Sequence, residues 1–534
     1  MSMNETINPC CDDVLITQRE SSLYDFALLY ANKIVTKDTI IGSVSTLYQN
    51  QLHIAFTYQT EENYVTDLLR YDDGSPTKIA SLTSKESHTV TGIAVVGTKV
   101  AMIGYWEGSS LFVHYNSITE IPKTCVVTSF MILFSDTVYV SLITSQSFVI
   151  VNDIVVDSIG NFFLVGQWIG TELEWRTGSQ TSKEVIANDQ NSINGFLIKV
   201  NLRAQKVWVA LLTSSRFVSG LNVDVNEGFV AVTGVYQSDM IQNNSNRIKP
   251  EIISIDNDGS EFAGGYLALF DTDGGTLWLR SFVDRSGVRL SASVPSTGRT
   301  KALAEERPIA VKLGSNSVNV LLQNRSVTVV ARYDLLGIPI WLNRIIGTHI
   351  SNAGKLLAID IDQNLYASVM YSSEIRFGNG LRLEEPERLS NLVAMYRSDG
   401  SLRSVFRQIG VTSLIPIHID QQRNVYISGS YSNLTFIDGS GQLIYRLDSP
   451  LAYLFVAKLI PYIQLLRLPP GTGGYRQFRL ESAQIGSLIV TQAVRYAGRV
   501  IRGFVMLNDS FLSMRRINRE WEIEKAIHVH ILLD

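Results

Sequence analysis

The chain has 534 residues, of which only 18% are charged, against about 25% in a typical soluble protein. The apolar fraction of 45% excludes a disordered chain, and the 38 glycines, which follow no period of three, exclude a collagen-like one. The formal net charge of −4 argues against a dedicated nucleic-acid binder, which normally has a basic excess, so no nucleic-acid partner is expected.

Cysteine content and the search for a membrane segment narrow the compartment. Cys10, Cys11 and Cys125 are too few and too unevenly spaced for a disulfide framework, which favours a reducing compartment. The first eleven residues contain no basic residue and no apolar core of a secretory signal. Polar residues interrupt the stretch 124–156 too often for the about 20 apolar residues of a transmembrane helix, so strands and no membrane span are predicted there.

Residues 1–43 form a predicted N-terminal arm. Its segment 26–35 has the pattern of a single strand that has lost its hairpin partner. One interpretation is that this strand completes a sheet begun near the other end of the chain. The alternative is a short amphipathic helix with Ser22 as its N-cap and Asp25 three residues later.

Two kinds of hairpin alternate through residues 44–468. In the first, a strand, an Asn/Gly turn and a second strand end near a glycine. Its copies are 155–166, 223–234, 359–369 and 419–429, with weaker relatives at 47–58 and 96–104. In the second, an apolar strand and a turn lead into a strand that often contains Trp. Its copies are 195–208, 265–278, 327–341 and 391–406, with weaker relatives at 65–79 and 111–121.

A pair of such hairpins makes a four-stranded meander with two apolar faces. Such a sheet is stabilised by stacking on copies of itself, and closure into a ring protects its edges. Residues 44–468 are therefore predicted to be an all-β protein domain of β-propeller type with seven blades, eight being the alternative count. Trp208, Trp278, Trp341 and Phe406 follow one another at 70, 63 and 65 residues. These repeats exceed the usual size of about 40–50 residues, and the surplus is predicted to form loops such as 238–261 and 284–306.

The repeat resembles a known family. The pattern Val-Asp-Ser-x-Gly-Asn-aromatic, a later Gly, an aromatic strand, Asp-x-x-Gly and Trp is similar to the SBBP-type repeats of bacterial surface proteins and giant viruses, which are named for seven-bladed β-propellers. Residues 155–208 and 419–459 show it best, and weaker copies extend it over roughly 43–468. The resemblance implies a propeller fold and an interaction role on a surface or a virion, and it transfers no catalytic residue.

The chain after the repeats is different in composition. Residues 469–474, Pro-Pro-Gly-Thr-Gly-Gly, are predicted to be a linker. Residues 475–534 contain nine basic and six acidic side chains and alternating apolar runs, which predict a small β-rich C-terminal domain. An excess of three positive charges is more typical of a solvated face than of a nucleic-acid site.

Candidate metal ligands are few. His528 and His530 would share one face of a strand, because side chains alternate with period two, but no third ligand follows at a recognisable spacing. Asp256 and Asp258 lie in the acidic turn that most resembles a calcium loop, yet they lack the further ligands of an EF-hand. Turn formation explains this cluster and the turns at 271–274 and 360–364 without a metal. No cofactor is predicted.

The repeated tryptophans give the candidate ligand contacts. Trp208, Trp278 and Trp341 occupy one position of the repeat and are predicted to pack between blades. Trp106 and Trp168, each two residues after a glycine at a strand end, are the better ligand-binding candidates.

No contiguous catalytic motif is present: the chain contains neither a Gly-x-Ser-x-Gly elbow nor a phosphate-binding loop. The leading hypothesis is a non-enzymatic propeller scaffold, a virion or host-cytoplasm protein, with the bacterial cell surface as the alternative location, that binds a protein or glycan partner. Two alternatives remain. One is a propeller enzyme of glycoside hydrolase or lyase type with its active site in the central channel, and the other is a virion component that assembles as a homo-oligomer.

Overall fold

The computed structural model is all-β. It describes residues 26–34, 39–72, 75–122, 127–178, 180–185, 192–214, 217–237, 240–244, 253–255, 264–282, 307–323, 327–347, 355–383, 388–413, 415–437, 443–447, 453–461, 480–484, 487–490, 503–507, 510–517, 520–526 and 532–533. The described residues contain strands and turns and no helix, so none of them forms a helix that could cross a membrane.

The strands are numbered in chain order. The first half comprises β1 (Phe26–Ile34), β2 (Thr39–Tyr48), β3 (Gln51–Gln59), β4 (Tyr64–Asp72), β5 (Ser75–Ser84), β6 (His88–Val96), β7 (Lys99–Trp106), β8 (Ser110–His114), β9 (Ile118–Pro122), β10 (Thr128–Phe134), β11 (Val138–Ser145), β12 (Val149–Val156), β13 (Phe162–Ile169), β14 (Glu172–Thr177), β15 (Gln180–Val185), β16 (Ile193–Val200), β17 (Lys206–Ser214), β18 (Phe217–Asn226), β19 (Phe229–Gln237), β20 (Met240–Asn244) and β21 (Ile253–Ile255). The second half comprises β22 (Gly264–Asp271), β23 (Thr276–Phe282), β24 (Arg307–Leu313), β25 (Ser317–Gln323), β26 (Val327–Asp334), β27 (Pro339–Ile346), β28 (Leu357–Ile359), β29 (Leu365–Tyr371), β30 (Ile375–Phe377), β31 (Arg382–Leu383), β32 (Ser390–Tyr396), β33 (Leu402–Val411), β34 (Ile417–Ile419), β35 (Val425–Ile437), β36 (Leu443–Leu447), β37 (Tyr453–Pro461), β38 (Leu480–Gln484), β39 (Ser487–Val490), β40 (Gly503–Leu507), β41 (Ser510–Ile517), β42 (Glu520–Ala526) and β43 (Leu532–Leu533).

Seven antiparallel meanders make up the ring, and each is a blade. From the innermost strand outward, the blades are β2-β3-β4-β5, β6-β7-β10-β11, β12-β13-β16-β17, β18-β19-β22-β23, β24-β25-β26-β27, β28-β29-β32-β33 and β34-β35-β37-β1. The innermost strand of each blade lies beside that of the next, and β2 of the first blade contacts β34 of the last. The fold is therefore a closed seven-bladed β-propeller.

The last blade is completed by the first strand of the chain. β1 pairs antiparallel with β37, from Phe26 opposite Pro461 to Ile34 opposite Leu454. The N-terminal strand thus joins a sheet whose other three strands come from the far end of the ring. Beyond residue 479, β38 pairs with β39, and β40 to β43 form a four-stranded sheet in the order β42-β41-β40-β43.

The core lies between blades. Seven clusters of buried apolar side chains each combine residues from two adjacent blades. At the closure, Leu52, Ile54 and Phe56 of the first blade pack with Leu454 and Val456 of the last. Because most strands are covered on both faces, few of their positions can hold a charge, which accounts for the low charged fraction of the chain.

A β-bulge recurs on the innermost strands of the first five blades. Each of these strands contains one extra residue that has no partner on the adjacent strand. The extra residues are Ile41, Thr91, Asn152, Leu221 and Ile309. A bulge increases local twist and turns side chains in a new direction. Here it lies where the innermost strands approach one another around the central channel.

Candidate functional site

The central channel is bordered by innermost strands that are joined by side chains. Thr91 Oγ1 of the second blade donates a hydrogen bond to the carbonyl of Val151 in the third, at 2.6 Å. Asn152 Nδ2 of the third blade donates to the carbonyl of Gly220 in the fourth, also at 2.6 Å. Both donors are bulge residues. Two of the five bulges therefore place a polar side chain where a backbone carbonyl of the next blade needs a partner.

Asp153 is the centre of this polar lining. Its carboxylate accepts hydrogen bonds from Asn222 Nδ2 at 2.7 Å and from the backbone N–H of Val223 at 2.9 Å. The N–H of Ile154 donates to its other oxygen at 2.8 Å. Lys355 Nζ, which comes from the sixth blade, lies 3.1 Å from Asp153 Oδ1. Since the third and sixth blades are not neighbours, this ion pair crosses the channel.

The same arrangement continues between the fourth and fifth blades. Asn222 Oδ1 accepts the N–H of Val311 at 3.0 Å. Asp224 accepts the N–H of Leu313 at 2.7 Å and pairs with Lys312 Nζ at 2.9 Å. An Asn or Asp on one innermost strand thus holds the backbone of the next.

The electrostatics of the lining reflect burial. Burial raises the pKa of Asp153 above its usual range, while Lys355 and the N–H groups of Val223 and Ile154 act in the opposite direction. His418 of the seventh blade hydrogen-bonds through Nε2 to Ser45 Oγ of the first blade at 2.9 Å. Burial, together with the nearby cations of Lys355 and Lys312, lowers the pKa of His418 to about 3. This imidazole is therefore neutral at physiological pH.

These contacts limit what the channel can do chemically. A general acid or base must present a proton or a lone pair to a substrate. Both carboxylates of the lining already accept backbone N–H groups and pair with a lysine. In the part of the chain that the structure describes, no group of three His, Cys, Asp or Glu residues could hold a metal ion. The lining therefore has the character of a structural network.

A second buried network joins the first two blades. Both ring nitrogens of His88 form hydrogen bonds. Nε2 lies 2.8 Å from Thr66 Oγ1, and Nδ1 lies 2.6 Å from Ser84 Oγ. The Ser84 hydroxyl donates its proton to the carbonyl of Glu86, so Nδ1 of His88 is the donor in the Ser84 contact. Burial lowers the pKa of His88 to about 4. Ser84 and His88 are 0% and 1% exposed, so this serine–histidine pair offers no face to a substrate.

The repeated tryptophans pack between blades, as the sequence predicts. Each indole N–H donates to a turn carbonyl of the following blade: Trp208 to Thr272 at 3.2 Å, Trp278 to Leu335 at 2.8 Å and Trp341 to Ser398 at 3.0 Å. The rings lie against turn glycines with positive φ, namely Gly274, Gly337 and Gly400. A further tryptophan that the repeat pattern did not single out, Trp175, donates to the carbonyl of Ala204 at 3.2 Å.

The two ligand candidates occupy core positions. Trp106 and Trp168 are both 0% exposed, with ring centroids 5.9 Å from Phe130 and 6.2 Å from Phe196. The preceding glycines make room for those phenylalanines, because a Cβ at Gly104 or Gly166 would lie 2.7 or 2.5 Å from a ring carbon. A ligand role for either tryptophan stays a prediction, and neither ring reaches the surface in this structure.

The acidic turns use their carboxylates locally. Asp271 Oδ1 accepts the N–H groups of Asp273 and Gly275, at 3.0 and 2.6 Å. Asp360 accepts the N–H and the side-chain amide of Asn364, at 2.9 and 2.8 Å. This is the turn-forming role of Asp. The other metal candidates, Asp256, Asp258, His528 and His530, lie outside the described residues.

A set of four exposed apolar side chains lies on the outer strands and a turn of the fourth and fifth blades. It consists of Leu277, Leu336, Ile338 and Ile340, which we call the rim patch, with exposed fractions of 48%, 72%, 46% and 55%. Two hydrogen bonds connect β23 of the fourth blade to the turn of the fifth blade that contains Leu336. The Trp278 indole N–H donates to the carbonyl of Leu335, and Arg280 Nε donates to the carbonyl of Gly337 at 3.3 Å. Groups of exposed apolar side chains are typical of protein-binding surfaces.

The chain is similar to solved structures, but at low sequence identity and low TM-score. No protein-family model and no curated protein sequence matches the chain. Among solved structures, the AfRom2 CNH domain is 8% identical, over 81% of this chain and 98% of that one, with a TM-score of 0.32. The WD40 domain of Toxoplasma gondii coronin is 10% identical, over 83% and 90%, with a TM-score of 0.32. The Bacillus licheniformis rhamnogalacturonan lyase PL11 is 11% identical, over 80% and 70%, with a TM-score of 0.25.

Proposed function

We propose that this protein is a non-enzymatic β-propeller scaffold that binds a protein partner through the rim patch. The observation that carries the proposal is the state of the channel. An active site in the channel would have to present groups free to react, whereas here Asp153 and Asp224 each accept a backbone N–H of the next blade and pair with a lysine. The channel network holds the ring together, and the outer surface is left for recognition.

The composition of the rim patch favours a protein partner over a glycan. Its four members are leucine and isoleucine, which offer apolar area without hydrogen-bonding groups. Apolar area removed from water stabilises a complex by about 25 cal/mol per Å². We propose a virion or the host cytoplasm as the location, with the bacterial cell surface as the alternative, on the resemblance of the repeats alone. Assembly with further copies of the chain is a related proposal, which sedimentation of the purified protein would test.

Two measurements test the scaffold function. First, the full chain is assayed against sugar, phosphoester and peptide substrates, and we expect no turnover that depends on Lys355 or His418. Turnover that Lys355→Met abolishes, in a variant whose circular dichroism stays native, would show an enzyme instead.

Second, partners are trapped by a photo-crosslinking residue at position 336 and each is then purified and titrated against the full chain. Leu336→Asp should weaken a true rim partner at least tenfold. The control is Ile118→Asp, which changes a similarly exposed residue, 68% accessible, at the start of β9. A partner that is weakened equally by both variants, or by neither, does not bind the rim patch and contradicts the proposal.

A further inference from the structure

Most blades are wider than four strands. In five of them a hairpin or a strand pair extends the sheet beyond its outermost strand. The additions are β8-β9 on β5, β14-β15 on β11, β20-β21 on β17, β30-β31 on β27 and the second half of β35 with β36 on β33. All five pair antiparallel with the outermost strand.

Each addition belongs, in sequence, to the following blade. β8-β9 is inserted between the second and third strands of the second blade, β14-β15 between those of the third, and so on around the ring. The additions therefore connect neighbouring blades at the rim. They also account for part of the long repeat: the surplus 238–261, predicted to be a loop, contains β20 and β21.

Two blades have too short a connection to make such an addition. The second and third strands of the fifth blade are joined by residues 324–326, and those of the first blade by residues 60–63. Each added hairpin pairs with the blade that precedes its own. The outermost strands of the fourth and seventh blades, β23 and β1, are therefore expected to receive no hairpin. Among the described residues, β23 indeed pairs only with β22, on its inner side.

The outer edge of β23, which none of the described strands covers, has the composition of a strand that receives another. Its sequence Thr-Leu-Trp-Leu-Arg-Ser-Phe contains a single charge. That charge belongs to Arg280, whose guanidinium lies over the Trp278 ring at 5.6 Å and donates to carbonyls of the next blade. It is therefore not placed to keep another strand from pairing with the edge. Proteins usually protect exposed edges with charged side chains, proline or bulges. The bulge in the pairing of β23 with β22, at Leu277, precedes the segment Arg280–Phe282, which contains neither a bulge nor a proline. The same strand contains Leu277, one of the exposed side chains of the rim patch.

We propose that the outer edge of β23, at Arg280–Phe282, accepts an extended strand of the partner protein in antiparallel pairing. This inference rests on the proposed function and specifies how its site binds. The five hairpins show how a strand adds to this edge. On β17 the added strand begins pairing at Ala210, two residues after Trp208. The equivalent position on β23 is Arg280, two residues after Trp278. Backbone hydrogen bonds would supply affinity, and apolar side chains at alternate positions of the strand would lie against the rim patch.

Hydrogen exchange of the full chain tests whether the edge is open. In an open edge, those amides of Arg280–Phe282 that do not bond to β22 should exchange as fast as amides of exposed turns, at low and high protein concentration. Slow exchange at every concentration would mean that the chain covers its own edge, and slow exchange only at high concentration would mean that a second copy does. Either result overturns the proposal.

A graft tests whether the edge accepts a strand. A copy of residues 372–389, which includes β30 and β31, replaces residues 324–326 and so supplies the missing hairpin; a Gly/Ser insert of the same length is the control. We expect the hairpin graft to slow exchange at Arg280–Phe282 at least tenfold and to weaken the purified rim partner at least tenfold, with no effect of the control. If the hairpin graft protects β23 and the partner still binds, strand addition is wrong while the scaffold function stands.

Discussion

Lys355 Nζ lies 3.1 Å from Asp153 Oδ1, although the two residues are 202 positions apart in the sequence. Lys355 also donates to the carbonyl of Ile154 at 3.1 Å, and its own carbonyl accepts the N–H of Ile417 at 3.0 Å. One residue of the sixth blade thereby contacts the third and the seventh. Because the ion pair spans the channel, its formation depends on closure of the ring.

Removing the cation should destabilise the protein strongly. Lys355→Met leaves Asp153, whose side chain is only 6% exposed, without its counter-charge, and such changes cost about 3–5 kcal/mol. Urea unfolding measures the loss. Lys312→Met is the control: Asp224 is 9% exposed, but Lys312, at 34%, is more open to water than Lys355 and pairs only between adjacent blades, so the loss should be smaller. Equal losses for the two variants would contradict a special role for the pair across the channel.

The defect of Lys355→Met should depend on pH. Without Lys355, one of the causes that oppose the raised pKa of Asp153 is gone, so that pKa rises further. A carboxyl group whose pKa is higher in the folded than in the unfolded state stabilises the fold when protonated, and this contribution is lost as the pH rises. The defect should therefore be smaller near pH 5 than near pH 8. A defect that is larger at pH 5 would show that Asp153 is not the group left unpaired.

The buried histidine between the first two blades should make the protein sensitive to acid. The pKa of His88 is about 4 in the folded state, against about 6.5 in an unfolded chain. Its neutral form thus stabilises the fold fully above about pH 6.5, and this contribution falls by up to about 1.4 kcal/mol per pH unit until about pH 4. Unfolding of the wild type and of His88→Gln between pH 7 and 4 isolates the effect. A constant difference between the two proteins across that range would refute it.

The tryptophan contacts can be separated from glycine conformation. Gly400 has a φ of +86°, and an added Cβ would lie 2.8 Å from the Trp341 ring. Gly228 has a φ of +93° but nothing within 4 Å of that position. Gly228→Ala should therefore cost only the backbone strain, about 1–2 kcal/mol, and Gly400→Ala should cost clearly more. Thermal or urea unfolding of both variants gives the comparison, and equal costs would show that the turn does not press on Trp341.

The added hairpins should be part of the core. Phe377 of β30 is 5% exposed and packs in the cluster between the fifth and sixth blades, so Phe377→Ala should lose about 3 kcal/mol of unfolding free energy. The adjacent Arg376, with 63% of its side chain exposed, pairs only at the surface, and Arg376→Ala should lose less than about 1 kcal/mol. If both substitutions were equally mild, the hairpin would be an independent surface decoration.

Local pattern was sufficient to predict the framework. The Asp, Asn and Gly turns placed the hairpins, and the recurrence of Trp208, Trp278 and Trp341 at one position indicated a repeated contact between blades, which the structure confirms. These features are readable because each depends on residues within one repeat or on its regular recurrence.

The added hairpins and the channel network could not be predicted in the same way. The sequence pattern shows that the repeat containing β20 and β21 is unusually long. It does not show that β20 pairs with β17 of the preceding blade, because that pairing joins residues far apart in the sequence. Asp153 did leave a signal: it is a charged residue in the otherwise largely apolar strand Val-Ile-Val-Asn-Asp-Ile-Val-Val. Its partner Lys355, from another blade, left none. For Trp106 and Trp168 the sequence did not show how deeply the rings are buried, since the glycine two residues earlier also makes room for a neighbouring phenylalanine.

The pairing of β1 with β37 sets an order on synthesis. A ribosome makes the N-terminal strand first, yet that strand has no partner until more than 400 further residues have emerged. Every outer hairpin imposes the same delay on a smaller scale, because a blade receives its edge only from the blade made after it. The ring can therefore close only after β37 has been made and β1 can pair with it.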